Sequence, residues 1–367
     1  MKPDAKDLAI FVSEVDAAAA AVFTRNQFPG APVILGRETI KRGVLRAIVV
    51  NSKVSNVATG AAGVENARRM AVAAARETGT DADRVLVSST GVIGVPLPIE
   101  KIERGLAGIG SELQDDPLIG AEGIMTTDTY PKAVSASVGD ATITWIAKGS
   151  GMIEPNMATM LSYIFTDAAL DARDLDRLLK QAVHVSFNML SVDSDTSTSD
   201  TCAILANGLA GRVDERVFAS ALTAGCIRMT EMLARDGEGA TRLLRVSVRG
   251  AHDDADARRI AKTIVNSPLI KTMVHGADPN VGRILMAVGK CVDCRVAPAK
   301  TSASVNGFEV VRQGARVDFD DAIVRAALST SVVELVVEVG VGMASATAYG
   351  CDLSEGYIAE NAAYYSS

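Results

Sequence analysis

Aromatic-basic interleaving is missing from this 367-residue chain, as are basic blocks, and the formal charge of -7 further disfavours a general nucleic-acid binder. Histidine is scarce: His184, His252 and His275 do not stand at ligand spacing, and Cys291-x-x-Cys294 has no second pair to complete a zinc site. No metal and no cofactor are therefore expected. The five cysteines, Cys202, Cys226, Cys291, Cys294 and Cys351, form an odd set, which fits packed, reduced thiols in a cytoplasm better than a disulfide framework. Asp4, Lys6 and Asp7 precede any apolar run, so no signal peptide is expected, and no stretch approaches the ~20 apolar residues of a membrane span. These absences lead to the expectation of a cytoplasmic globular protein that binds neither nucleic acid nor membrane.

The length allows two or so domains and a substantial core. Strands are expected over Leu8–Val12, Leu45–Asn51, Arg84–Ser88, Arg242–Val248 and Val332–Val339, and a hairpin over 133–146 around Gly139-Asp140. Helical spacing falls on Val64–Glu77, Leu170–Leu190, Val213–Leu233, Ala255–Val265, Asn280–Val288 and Asp320–Leu328. The mixture predicts an α/β fold. No repeat or low-complexity linker marks a domain boundary.

The chemistry centres on Lys148-Gly-Ser-Gly-Met-Ile-Glu-Pro-Asn-Met-Ala-Thr-Met-Leu161. Gly149 and Gly151 open backbone angles closed to other residues, and Pro155 biases Glu154 towards an extended conformation, so this lead can hold a turn or a strained peptide. Beyond it Met160, Leu161, Tyr163, Ile164 and Phe165 read as a buried strand that begins at Thr159. A threonine there can simply pack. Alternatively its hydroxyl attacks the carbonyl of Ala158, and water releases the ester. The freed α-amine, with a pKa of roughly 7.7 to 8.0, then serves as base for the hydroxyl beside it.

That segment resembles the self-cleavage segment of the ornithine acetyltransferase/glutamate N-acetyltransferase family of arginine biosynthesis. Further similar blocks are Ser89-Thr90-Gly91-Val92-Ile93-Gly94, Met125-Thr-Thr-Asp-Thr-Tyr-Pro-Lys132, Asp236-Gly-Glu-Gly-Ala-Thr241 and Gly276-Ala-Asp-Pro-Asn-x-Gly-Arg283, in the family's order. The resemblance runs from about Asp7 to the C-terminus. It implies a layered α/β fold of the self-processing, N-terminal-nucleophile-like aminopeptidase group. It also implies scission between Ala158 and Thr159 into a 158-residue α chain and a 209-residue β chain (367 − 158), assembled as an α2β2 heterotetramer. The reaction implied is ping-pong transfer of acetyl from N2-acetyl-ornithine to glutamate through acetyl-Thr159; some members also take acetyl-CoA as donor.

By the same resemblance Thr90 and Gly91 form an oxyanion hole, and Thr126, Lys148, Thr159, Glu238, Asn361 and Ser366 contact substrate. Read alone, Lys148 is a solvated strand end, Glu238 an exposed carboxylate in a glycine-flanked loop, and the C-terminus a frayed tail. The chain departs from the family pattern along Asn51–Gly60, which lacks the usual cysteine before Thr59-Gly60, at Ser194 and Ser199, where glycine and asparagine are usual, and at Glu360. Two alternatives use the same residues differently: an N-terminal-nucleophile amidase or aminopeptidase that passes the acyl group to water, and an uncleaved, non-catalytic relative.

Overall fold

Short β-branched and alanine-rich runs separate helices along most of the chain, and in the computed structural model, which describes residues 6–154 and 160–362, they pair into two sheets. The first stretch carries β1 (Leu8–Phe23), α1 (Ala31–Thr39), β2 (Val44–Asn51), α2 (Gly60–Thr78), β3 (Val85–Ser89), α3 (Ile99–Leu106), α4 (Pro117–Gly123), β4 (Lys132–Val138) and β5 (Ala141–Lys148). After it come β6 (Leu161–Ala168), α5 (Ala172–Val185), β7 (Leu190–Ser191), β8 (Thr201–Gly211) and α6 (Glu215–Arg235). The remainder carries β9 (Leu243–Ala251), α7 (Asp254–Val265), α8 (Pro268–His275), α9 (Gly282–Gly289), β10 (Ser302–Val305), β11 (Phe308–Arg312), β12 (Ala315–Arg316), α10 (Asp321–Leu328), β13 (Val332–Glu338), β14 (Ala344–Cys351) and α11 (Glu355–Ala362).

The chain divides into two compact units, residues 1–188 with 196–229, and residues 189–195 with 230–367. In the first, seven strands run in the order β3-β2-β1-β8-β6-β5-β4. Leu45, Ile48, Val50, Leu86, Leu161 and Tyr163 fill one core, while α2 lays Ala67, Met70 and Ala74 against Ala47, Val49 and Val87 in another. Each fully buried aliphatic side chain contributes about 1.5–3 kcal/mol. In the second unit the order is β12-β11-β10-β13-β9-β14-β7. There the parallel pair β9 and β13 is buried through Leu244, Val246, Val333, Leu335 and Val337.

Order along the first sheet matters for function. Strands β1 to β5 precede the expected scission point, whereas β6 and β8 follow it, yet β8 pairs with β1 on one side and β6 with β5 on the other. The expected cut would fall within one sheet, so two fragments would stay interleaved through backbone hydrogen bonds on both flanks.

Three expectations change. The first strand was expected to end at Val12, but it continues through Ala17–Ala21, because pairing with β2 and β8 outweighs the helical preference of alanine. The helix expected to reach Leu190 stops at Val185, leaving room for a short turn and β7. Finally, α6 is long and apolar enough to cross a membrane by length and composition, contrary to the reading that no stretch qualifies. Its Phe218, Leu222, Cys226 and Leu233 are buried within the protein, and Gly225 lies so close to Trp145 that a Cβ would come within 2.2 Å of the ring. It is built as a core helix.

Candidate active site

Parallel strands β2 and β3 end side by side, Asn51 opposite Ser89, and the two loops that leave them are laced together. The N–H of Thr90 donates to the carbonyl of Asn51 at 2.9 Å, and that of Val92 to the carbonyl of Lys53 at 3.1 Å. Gly91 sits between them at φ +122°, where a Cβ would lie 2.1 Å from the Lys53 oxygen; only glycine fits. Among the described residues the Gly91 N–H has no hydrogen-bond partner. The Thr90 N–H is occupied, so the hydroxyl is the donor that Thr90 has left to offer. Lys148 Nζ donates to Thr90 Oγ1 at 3.3 Å, so the hydroxyl accepts from the lysine and keeps its own hydrogen to give. With Gly91 in the oxyanion role that the resemblance implies, Gly91→Ala should lower turnover about a hundredfold or more, and its Cβ should cost about 1–3 kcal/mol of stability from overpacking. Steady-state kinetics and thermal unfolding of the variant check both.

Lys148 is buried, not solvated, and lies within the field of a carboxylate. Asp128 Oδ1 accepts from Lys132 Nζ and from the Gly149 N–H, both at 2.7 Å, and its Oδ2 accepts from the Thr126 N–H at 3.1 Å. The Asp128 and Lys132 side chains are both 0% exposed. Burial alone would push the Asp128 carboxyl up; the charges of Lys132 and Lys148 and the donated hydrogen bonds outweigh it and hold the group below the usual carboxylate range. A further hydrogen bond joins the hydroxyls of Thr127 and Ser150. One loop, 126–128, thus clasps the start of the glycine-rich lead.

The lead is also tied at its far end, where Ile153 bridges Thr196 and the Thr196 hydroxyl donates to the Glu154 carbonyl at 2.9 Å. Ala158 and Thr159 lie outside the described residues, as does Ser366. The chain is next placed at Met160, whose carbonyl accepts from the Thr201 N–H at 3.0 Å. Leu161 pairs in register with Lys148, so Lys148 stands beside a residue two positions along the chain from Thr159.

In the second unit Glu238 is 7% exposed, correcting its reading as a surface carboxylate. Asn361 Nδ2 donates to Glu238 Oε2 at 2.7 Å and to the Tyr357 carbonyl at 3.0 Å. The C-terminal segment is helical through Ala362, where fraying was expected, because α11 packs on the glutamate's loop. Gly239 takes φ +66° and lies so close to α11 that a Cβ would come within 2.3 Å of the Tyr357 nitrogen. Asp352 anchors the next turn, accepting from Thr241 N–H at 2.8 Å, Thr241 Oγ1 at 2.6 Å and Arg242 N–H at 2.9 Å. Burial, then Glu238 and Asp236, push the Glu360 carboxyl up. Burial and then Asp193 and Glu238 push the Tyr357 phenol up to about 12. Such a field suits an ammonium group.

The structure thus joins Thr90, Gly91, Lys148 and, through Asp128, Thr126 in one unit, and Glu238 with Asn361 in the other. Sequence reading passed over Asp128 and Lys132, although both stand in the quoted block 125–132 at a spacing of four that brings opposite charges together. Of the departures, Ser194 takes φ +68°, a backbone region where glycine costs less by about 1 kcal/mol. The Ser199 hydroxyl is buried without a partner among the described residues. Among those residues no group of three His, Cys, Asp or Glu side chains could hold a metal.

Residues 1–366 match the ArgJ family. Glutamate N-acetyltransferase Oat2 of Streptomyces clavuligerus is 45% identical over 98% of this chain and 93% of its own length. Arginine biosynthesis bifunctional protein ArgJ 2 of a Nostoc species is 44% identical over the same shares. The crystal structure of arginine biosynthesis bifunctional protein ArgJ from Bacillus halodurans is 36% identical with a TM-score of 0.54, covering 56% of this chain and 100% of the solved one. With the motifs in order along the whole chain and an α/β architecture beneath them, the protein belongs to the ArgJ family, the glutamate N-acetyltransferase and ornithine acetyltransferase enzymes of arginine biosynthesis.

Proposed function

We propose that the chain cuts itself between Ala158 and Thr159 and that the freed Thr159 then carries acetyl from N2-acetyl-ornithine to glutamate. Thr159 Oγ attacks the acetyl carbonyl while its own α-amine takes the hydroxyl proton. The oxyanion accepts hydrogen bonds from the Gly91 N–H and the Thr90 hydroxyl, which are worth most as the charge appears. Collapse breaks the amide bond, the proton passes to the departing ornithine amine, and an acetyl ester remains on Thr159. The amine of glutamate attacks that ester through the same intermediate and leaves as N-acetylglutamate. Lys148 and Thr126 hold the substrate carboxylate, and Glu238, set by Asn361, holds an ammonium group; Ser366 adds a contact.

The observation that carries this reading is an N–H without a hydrogen-bond partner among the described residues, on a residue that must be glycine, beside a hydroxyl that accepts from a buried lysine and keeps its own hydrogen to give. The interleaved sheet supports scission without dissociation. We further propose assembly as α2β2, and the same ester could be loaded from acetyl-CoA. The fully covered Bacillus halodurans chain spans 56% of 367 residues, about 206, which agrees in length with the 209-residue fragment.

Two experiments test it. Ornithine release from N2-acetyl-ornithine should depend on glutamate; release at the same rate without glutamate would instead establish a hydrolase. Purified protein should show two bands on a denaturing gel and a single peak on native gel filtration, because β8 and β6 sit between β1 and β5. Fragments that elute apart without denaturant would contradict the interleaving.

A further inference from the structure

The outer edge of β4 is unguarded. It ends the first sheet, pairs among the described residues only with β5, and runs without a register shift from Lys132 to Val138. Natural sheets blunt such edges with charge, proline, bulges or a cover. Here no charged residue lies between Ala133 and Val138, and the one at the start, Lys132, is turned inward onto Asp128. Ser135, Ala136 and Ser137 are exposed. The opposite edge differs: all five residues of β3 are buried.

The direction of the backbone groups follows from the hairpin. Val138 and Ala141 flank the two-residue turn Gly139-Asp140, with Gly139 at φ +61°, and a flanking pair in such a hairpin exchanges both its hydrogen bonds. Counting back by twos, Ala136 and Val134 point their N–H and C=O groups at β5. Ser135 and Ser137 point theirs outward. Among the described residues these outward groups have no partner.

The sequence of this edge reads the same in both directions: Val134-Ser135-Ala136-Ser137-Val138. Two copies of an antiparallel strand related by a two-fold axis at Ala136 would set Val134 opposite Val138, Ser135 opposite Ser137, and Ala136 opposite itself. In that register Ser135 and Ser137 of opposite copies exchange hydrogen bonds, and the paired residues are β-branched with β-branched and hydroxyl with hydroxyl. A two-fold interface requires this self-complementarity, since the same patch serves both sides. Small side chains at the axis let the strands approach.

We propose that β4 pairs antiparallel with β4 of a second copy about Ala136, joining two seven-stranded sheets into one. The pairing rests on the two-copy assembly proposed above, whose interface it names, and does not depend on the acetyl-transfer chemistry. Ala136→Lys sets two lysines face to face across the axis, and Ala136→Glu two carboxylates, while the exposed position accommodates either within one copy. Wild-type protein should have a solution mass, by light scattering after gel filtration, of at least twice the 38.3 kDa of one copy. Each variant alone should fall twofold in mass, and an equimolar mixture of the two should recover the wild-type mass through Lys-Glu pairing. Ser137→Pro, which removes an outward N–H without touching the β5 ladder, should also halve the mass while keeping the wild-type unfolding temperature. A wild type of one-copy mass would overturn the α2β2 assembly and the pairing with it; an Ala136→Lys variant that folds and keeps the wild-type mass, or a mixture that fails to recover it, would overturn the β4 pairing alone.

Discussion

Thr159→Ala is expected to yield one band of 38.3 kDa under denaturing conditions where the wild type gives two, and to abolish acetyl transfer. The substitution removes the oxygen that attacks the Ala158 carbonyl, and in doing so it also prevents release of the α-amine that would act as base. Both parts of the nucleophile are lost together. When residues act as such a unit, losing one costs about as much as losing all, on the order of a millionfold in turnover. Stability should change little, because the proposed scission lies within a sheet whose ladders are already formed on both flanks of β8 and β6. Thr159→Ser is the informative companion: it retains the hydroxyl and should still cut and transfer. An Ala variant that still splits into two chains would place the cutting nucleophile elsewhere.

Asp128→Asn is expected to have the second-largest effect, through a residue that touches no substrate in the proposed reaction. Asparagine can keep one of the hydrogen bonds from Gly149 or Thr126, yet it removes the buried carboxylate charge that Lys132 Nζ pairs with. Breaking a buried pair on one side typically costs about 3–5 kcal/mol, which chemical denaturation would read directly. The pH dependence has a definite sign. Since the folded carboxyl lies below its usual range, its stabilising contribution is complete above the unfolded value of about 3.9 and disappears as acid carries the pH down through the folded value. The wild type should therefore lose stability steeply below about pH 4, and Asp128→Asn much less so.

A role in positioning goes beyond stability. Lys148 adjoins Gly149, whose N–H Asp128 holds, so a shift there moves the donor to Thr90 as well as the lead to the scission point. The double variant Asp128→Asn with Lys132→Met removes both charges and should recover much of the lost stability. It should nonetheless keep slow scission and a kcat/KM reduced about tenfold to a hundredfold, the cost of misplacing reacting groups by about an ångström. If the double variant regains full activity along with stability, Asp128 is merely structural.

Sequence reading reached the elements whose signal is local. Gly139-Asp140 between alternating runs predicted the β4-β5 hairpin, and the spacing in 64–77 predicted most of α2. It failed where partners decide. Strand β8, which flanks β6 in the first sheet, was passed over because Asn207-Gly208, a turn signal by sequence, stands inside the strand and leaves only a short apolar run before it; its pairing with β1 through Ala18–Phe23 is also what holds alanines in an extended strand. The candidate site divides similarly. Gly91 could be singled out by its motif, but that a Cβ there would strike the Lys53 carbonyl is visible only in three dimensions. Burial of Lys148 and Glu238 could not be read from charge and flanking glycine, since both types are usually solvated. Asp128 escaped notice despite its spacing from Lys132, because its other partners, Gly149 and Thr126, engage it through backbone N–H groups that no side-chain pattern reports.

Intact-mass analysis of wild-type protein, denatured after brief exposure to N2-acetyl-ornithine without glutamate, tests the central claim most directly. The account predicts two chains of 158 and 209 residues (367 − 158), with one acetyl group on the longer chain, at its first residue, and its loss when glutamate is added before denaturation. An active protein that remains a single 367-residue chain, or one that carries the acetyl group on the 158-residue fragment, would contradict it.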